Sequence, residues 1–90
     1  MNIRKIKLAL TVGLINSGRQ GNGLALVKEL MAGFQEAGRF LGLTRLQNNR
    51  LNAAHVRETY AIRYENCTLN VELVSNDETQ RQYVQGFRIY

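Results

Sequence analysis

Hydrophobic positions alternate near the start of the chain. Ile6, Leu8, Leu10, Val12 and Leu14 are interleaved with Lys5, Lys7, Ala9, Thr11 and Gly13. This period of two predicts a strand with one buried face. The glycines Gly18, Gly21 and Gly23 break it. Leu24, Val27, Leu30, Met31, Phe34, Ala37, Gly38 and Leu41 then recur at threes and fours, with Lys28, Glu29, Gln35, Glu36 and Arg39 largely between them. That spacing predicts an amphipathic helix, capped by Asn22 and stopped by Gly42. Gly33 and Gly38 cost helix stability, which predicts a close approach of this helix to a sheet.

Residues 44–57 are less periodic. Leu46 and Leu51 are the only large apolar residues there before Val56, and Asn48-Asn49 suggests a turn. The segment reads either as a loop or as a loop with a short helix near Asn52–Arg57. Beyond it, Tyr60, Ile62 and Tyr64 alternate with Ala61, Arg63 and Glu65, and Leu69, Val71 and Leu73 alternate with Thr68, Asn70 and Glu72. A two-residue turn at Asn66-Cys67 would pair Tyr64 with Leu69, Ile62 with Val71 and Tyr60 with Leu73, all on one face. In that register Arg63 would lie near Glu65 and Glu72. Ser75–Glu78 reads as a turn, and Tyr83, Phe87 and Ile89 suggest a last strand interrupted by Gly86. The expected architecture is α+β, in the order β-α-(α)-β-β-β. It is a mostly antiparallel four-stranded sheet with one main helix on one face, forming a single domain over residues 1–90.

Composition narrows the class. One cysteine, Cys67, allows no internal disulfide, and without proline the loops must be shaped by Gly and Asn. The basic residues before Leu8–Ile15 resemble a short signal peptide. However, Ile15-Asn16-Ser17 is a poor cleavage site, and the run is too short to cross a membrane. A cytoplasmic protein without a membrane partner is expected. Charge is split along the chain. Met1–Arg57 holds nine Lys/Arg and two acids, and Glu58–Tyr90 holds three and five, which together make the net +5. A basic half of this kind attracts nucleic acid or an acidic protein surface.

Candidate chemistry is sparse. The spacing Gly18-x-x-Gly21-x-Gly23 ahead of a helix allows an anion site with Arg19, but it matches no nucleotide-binding fingerprint. Arg39, Arg45, Arg50 and Arg57 run through a stretch without acids, interleaved with Gln47, Asn48, Asn49, Asn52 and His55. Arginine suits phosphate contacts, and Asn or Gln can read bases. The candidate contact residues are therefore Arg45, Arg50, Arg57, Asn48 and Asn49, with Lys5, Lys7 and Arg19 next. No aromatics are interleaved here, so this segment does not predict base stacking. A single His and a single Cys do not make a metal site, and no cofactor is expected. Arg81, Tyr83, Arg88 and Tyr90 crowd the C-terminus. Strict alternation would put Arg81 and Tyr83 with Phe87 and Ile89, and Arg88 with Tyr90 on the other face.

These features predict a small basic, non-catalytic protein that binds nucleic acid or a nucleic-acid-handling complex. An unpaired edge strand could also pair with a second copy across a two-fold axis. In size and simplicity the chain resembles small phage or mobile-element inhibitors of host immunity, anti-CRISPR proteins among them. That resemblance implies action by protein contact, through the C-terminal Tyr/Arg strand or the polar segment. The element order and basic charge are similar to those of RelE-like mRNA interferase toxins. That resemblance implies roles on ribosome-bound mRNA for Arg63, Arg81, Arg88 and Tyr90. The arginine-rich central hairpin typical of that family is mostly replaced here, since Tyr60–Leu73 carries one Arg and two Glu.

Overall fold

A computed structural model of the chain describes residues 3–16 and 22–90. Two helices, α1 (Ile3–Asn16) and α2 (Gly23–Ala32), and a single 3-10 turn at Gln35–Ala37 precede four strands. These are β1 (Phe40–Arg50), β2 (His55–Tyr64), β3 (Thr68–Asn76) and β4 (Arg81–Ile89). The sheet is antiparallel throughout and its order β1-β2-β3-β4 follows the chain. The α+β class and the four-stranded antiparallel sheet are as the sequence predicts. The element order is not, because the first predicted strand is a helix and the polar segment supplies a strand in its place.

The physical reason lies in residues 3–16. Arg, Lys, Leu and Ala are good helix formers, and Thr11, a weaker one, returns its hydroxyl to the Lys7 carbonyl at 2.8 Å. Ile6 and Leu10, four apart, are fully buried, and Leu14 packs beside them. Leu8, Val12 and Ile15 fall on the opposite side and are exposed. An alternation of two thus splits across two faces of a helix.

In α2 the Asn22 side chain accepts from the Ala25 N–H at 3.2 Å, as the sequence predicts. The helix ends earlier than expected. Gly33 caps it, its N–H reaching the Leu30 carbonyl at 3.2 Å, and Gly38 turns the chain into β1 at φ +81°. Gly42, expected to stop the helix, lies inside β1. Close approach of the helices to each other and to the sheet is supplied by other glycines. A Cβ at Gly13 would sit 2.8 Å from Leu30, and one at Gly23 3.0 Å from Leu73.

Residues 44–57 form neither loop nor helix. Asn48 and Asn49 are paired in β1, and the turn falls at residues 51–54, where Asn52 Oδ1 accepts from the Ala54 and His55 N–H groups at 2.9 Å each. Asn76 organises the β3–β4 turn in the same way. Four residues rather than two, Tyr64–Cys67, lie between the last paired residues of β2 and β3. Arg63 pairs with Thr68, Ile62 with Leu69 and Tyr60 with Val71. The loop tightens through the Tyr64 N–H to the Cys67 carbonyl, and the Glu65 and Asn66 N–H groups are held by the Arg39 and Ala37 carbonyls. The slip is two residues, so every side chain keeps its predicted face.

The core lies between the helices and one sheet face. Ile62, Leu69, Val71 and Leu73 meet Ile6, Leu10, Val27 and Met31, and all eight are essentially inaccessible. The helices cover β3 and β4, while β1 is exposed along nearly its whole length. Gly38 supports the junction between layers, since a Cβ there would meet Glu65 Cβ at 2.7 Å in a backbone region disfavoured for other residues. Gly38→Ala should therefore lower stability by about 1–3 kcal/mol in denaturant titrations. Gly42→Ala, with open space around it, should be neutral within about 0.5 kcal/mol.

Candidate nucleic-acid interface

The sheet has two unlike faces. On the face away from the helices, cross-strand pairing builds rows of mainly polar residues. Asn49, Arg57, Val74 and Tyr83 form one row; Gln47, Thr59, Glu72 and Gly86 the next. Thr44, Ala61, Asn70 and Arg88 form a third, and Arg63, Thr68 and Tyr90 a fourth. Arg81 flanks the first row, opposite Asn76.

A bulge makes this composition. Gly86 pairs with Glu72 and Val84 with Leu73, so Gln85 has no partner. Before it, Val84 faces the core and Tyr83 faces outward. After it, Phe87 and Ile89 face the core and Arg88 faces outward. Strict alternation would have split these residues between faces. The bulge unites Arg81 and Tyr83 with Arg88 and Tyr90.

The charge on this face is one-sided. It carries Arg57, Arg63, Arg81 and Arg88 against the single acid Glu72, which pairs with Arg57 at 3.5 Å. Arg63 stands opposite Thr68 rather than near Glu72, and Glu65 pairs instead with Arg39 at 3.4 Å. Neither Arg63 nor Arg88 has an ion pair among the described residues. Between Gln47, Asn70, Arg88 and Tyr90 lies a shallow groove of about 700 Å³. A Cβ at Gly86 would meet nothing within 4 Å, so the groove floor there is open backbone. Tyr90, which lines it, is 61% exposed, and Tyr83, in the first row of the same face, is 40% exposed.

The residues singled out from the sequence are dispersed. Arg57 and Asn49 lie on the outer face. Arg45 and Asn48 stand on the helix side of β1, opposite Tyr60 and Glu58. Arg50 is a clamp between turns, donating to the Asn52 and Ala53 carbonyls and to Asp77 at 2.7 Å. Lys5 and Lys7 lie on α1, Lys5 within 3.7 Å of Glu36. Arg19 and the Gly18–Gly21 stretch are outside the described residues. Arg63 is implied by the toxin resemblance alone, whereas Arg81, Arg88 and Tyr90 also belong to the C-terminal Tyr/Arg cluster of the sequence. The element order behind that resemblance is not the one observed.

Other chemistry is set by burial. The Tyr60 hydroxyl donates to the Glu58 carboxylate, which is the main reason its pKa is raised. Burial pushes up the Tyr64 phenol and the Cys67 thiol. His55 opens β2 and Cys67 lies in the loop beyond its far end, about 30 Å away at strand rise, so they form no nucleophile–base pair. Among the described residues no three His, Cys, Asp or Glu gather as metal ligands, and no helix is long and apolar enough to cross a membrane. Comparison with family models, curated proteins and solved structures finds no match.

Cys67 should resist a thiol reagent in the folded chain and react fully once denaturant is added, as followed by absorbance. The folded state holds the Cys67 and Tyr64 protons more tightly than the unfolded one does. Their contribution to stability is complete below the ordinary thiol and phenol values of about 8.5 and 10, and is lost as pH rises beyond them. Equilibrium unfolding measured at rising alkaline pH should show that decline.

Proposed function

We propose that this protein is a non-catalytic binder of single-stranded nucleic acid, acting through the outer face of its sheet. The observation that carries this reading is four arginines, two exposed tyrosines and a single, ion-paired acid on one face that no helix covers. Arginines attract and position phosphates. Tyrosine rings beside them offer stacking surfaces to unpaired bases, which duplex nucleic acid does not present. Asn49, Gln47 and Asn70 supply hydrogen-bond partners for base edges. A cytoplasmic setting goes with this reading, where Cys67 stays reduced. Self-association, if present, is expected through β1, the long exposed edge of the sheet.

Fluorescence anisotropy against single- and double-stranded RNA and DNA over a salt series tests the reading. Single strands should bind more tightly than duplexes, with affinity falling steeply as salt rises. The exposed pair Arg63→Ala and Arg88→Ala should weaken binding at least tenfold and flatten the salt slope by about 0.7 per arginine. Tyr90→Ala should weaken it with little change in slope. Arg50→Ala should lower stability but leave affinity nearly intact. Absence of binding at low salt would overturn the reading and leave an acidic protein as the partner to seek. RNA cleavage during the titration would overturn its non-catalytic part.

A further inference from the structure

We propose that the outward face of α1 is a contact for an anionic membrane surface. Leu8, Val12 and Ile15 would enter the interfacial layer, and Arg4, Lys5 and Lys7 would engage lipid phosphates. The inference does not rest on the nucleic-acid reading, because α1 belongs to the layer on the other side of the sheet.

The argument begins with the two faces of α1. Ile6 and Leu10 are fully buried on one. On the other, Leu8, Val12 and Ile15 are spaced by four and three residues into one stripe, and they are 61%, 53% and 72% exposed. A helix apolar on opposite sides is normally covered on both. Leu8 and Val12 form the floor of an open groove of about 660 Å³, with Arg4 and Lys5 at its rim. The helix contains no acid, and its three cations all precede the stripe. Lys5 approaches Glu36 at 3.7 Å yet keeps 67% of its side chain exposed.

Charge chooses the occupant. A second copy would bring the same acid-free helix against itself. An anionic lipid surface offers apolar depth for the stripe and phosphates for the cations. Stable attachment at an interface needs two such signals together, an inserted apolar face and a basic cluster. The helix of 14 residues is about 21 Å long, too short for a hydrocarbon core of about 30 Å, so it lies on the surface rather than crossing it. Lys and Arg suit this placement because their stems follow apolar surface while their charged ends reach the headgroups. The strand expected from the sequence would have buried Leu8 and Val12 with Ile6, Leu10 and Leu14. The helix turns these two outward beside Ile15.

Co-sedimentation with phosphatidylcholine vesicles, with and without phosphatidylglycerol, tests the proposal. The protein should bind the vesicles containing phosphatidylglycerol and leave the others. A variant with Leu8→Gln, Val12→Gln and Ile15→Gln should partition at least tenfold less while keeping its circular dichroism. Arg4→Gln with Lys7→Gln should remove the preference for phosphatidylglycerol, while Arg63→Ala with Arg88→Ala should not. The chain has no tryptophan, so Val12→Trp gives a single reporter independent of the triple variant's folding. Its emission should shift to shorter wavelength on phosphatidylglycerol vesicles and be quenched by brominated lipid. Failure of the wild-type chain to sediment, equal partitioning of the triple variant, or unchanged Trp emission would each overturn the proposal. So would sedimentation equilibrium showing a dimer that the triple variant abolishes, without vesicle binding. In that case the second copy is the occupant.

Discussion

Everything in this molecule depends on one face of the sheet being dry. Ile62, Leu69, Val71 and Leu73 form a block on β2 and β3 with no accessible surface, and Val84, Phe87 and Ile89 extend it along β4. Side chains alternate along a strand, so committing that face to the helices forces the intervening residues outward. Arg57, Arg63 and Arg88 point to solvent because their neighbours in sequence are needed inside. The candidate site is thus the complement of the core, and a mutation that shifts one shifts the other.

The parts of the fold set by such alternation were legible in the sequence. The central hairpin was found, and its faces were right even though its register was two residues off, because the hydrophobic pattern constrains parity more tightly than it constrains loop length. The Asn22 cap was found from its chemistry. Two things were not legible. The run Ile6–Leu14 satisfies period two, and its members Ile6, Leu10 and Leu14 also satisfy a helix. Only packing against α2 through Gly13 and Leu30 separates the readings. Segment 44–50 carries one large apolar residue, Leu46, too few to mark a strand, because the helices do not cover β1 and its outer half needs little apolar surface.

The candidate site was read only in part for the same reasons. The arginines were chosen by their nearness along the chain, and the fold disperses them: Arg45 goes to one side of β1, Arg57 to the other side of the sheet, and Arg50 is held by two turns. What gathers a charged face is pairing between strands. One feature of that pairing, the unpaired Gln85, has no sequence signal beyond the neighbouring Gly86. Without the bulge, Tyr83 would share a face with Phe87 and Ile89, and the tyrosines and arginines of β4 would be divided between core and solvent.

The order of the sheet also bears on how the chain is made. Each strand pairs with its neighbour in sequence, so the hairpins can close over short loops, a topology associated with fast folding. The helical layer is different. It precedes the sheet in the chain, yet both helices rest on β4, the last of these four strands to be made. Until then Ile6, Leu10 and Val27 lack the part of their platform that Val84, Phe87 and Ile89 supply. Synthesis therefore passes through an interval in which two apolar helices are complete and their seat is not, an interval in which a chaperone would find this chain a substrate.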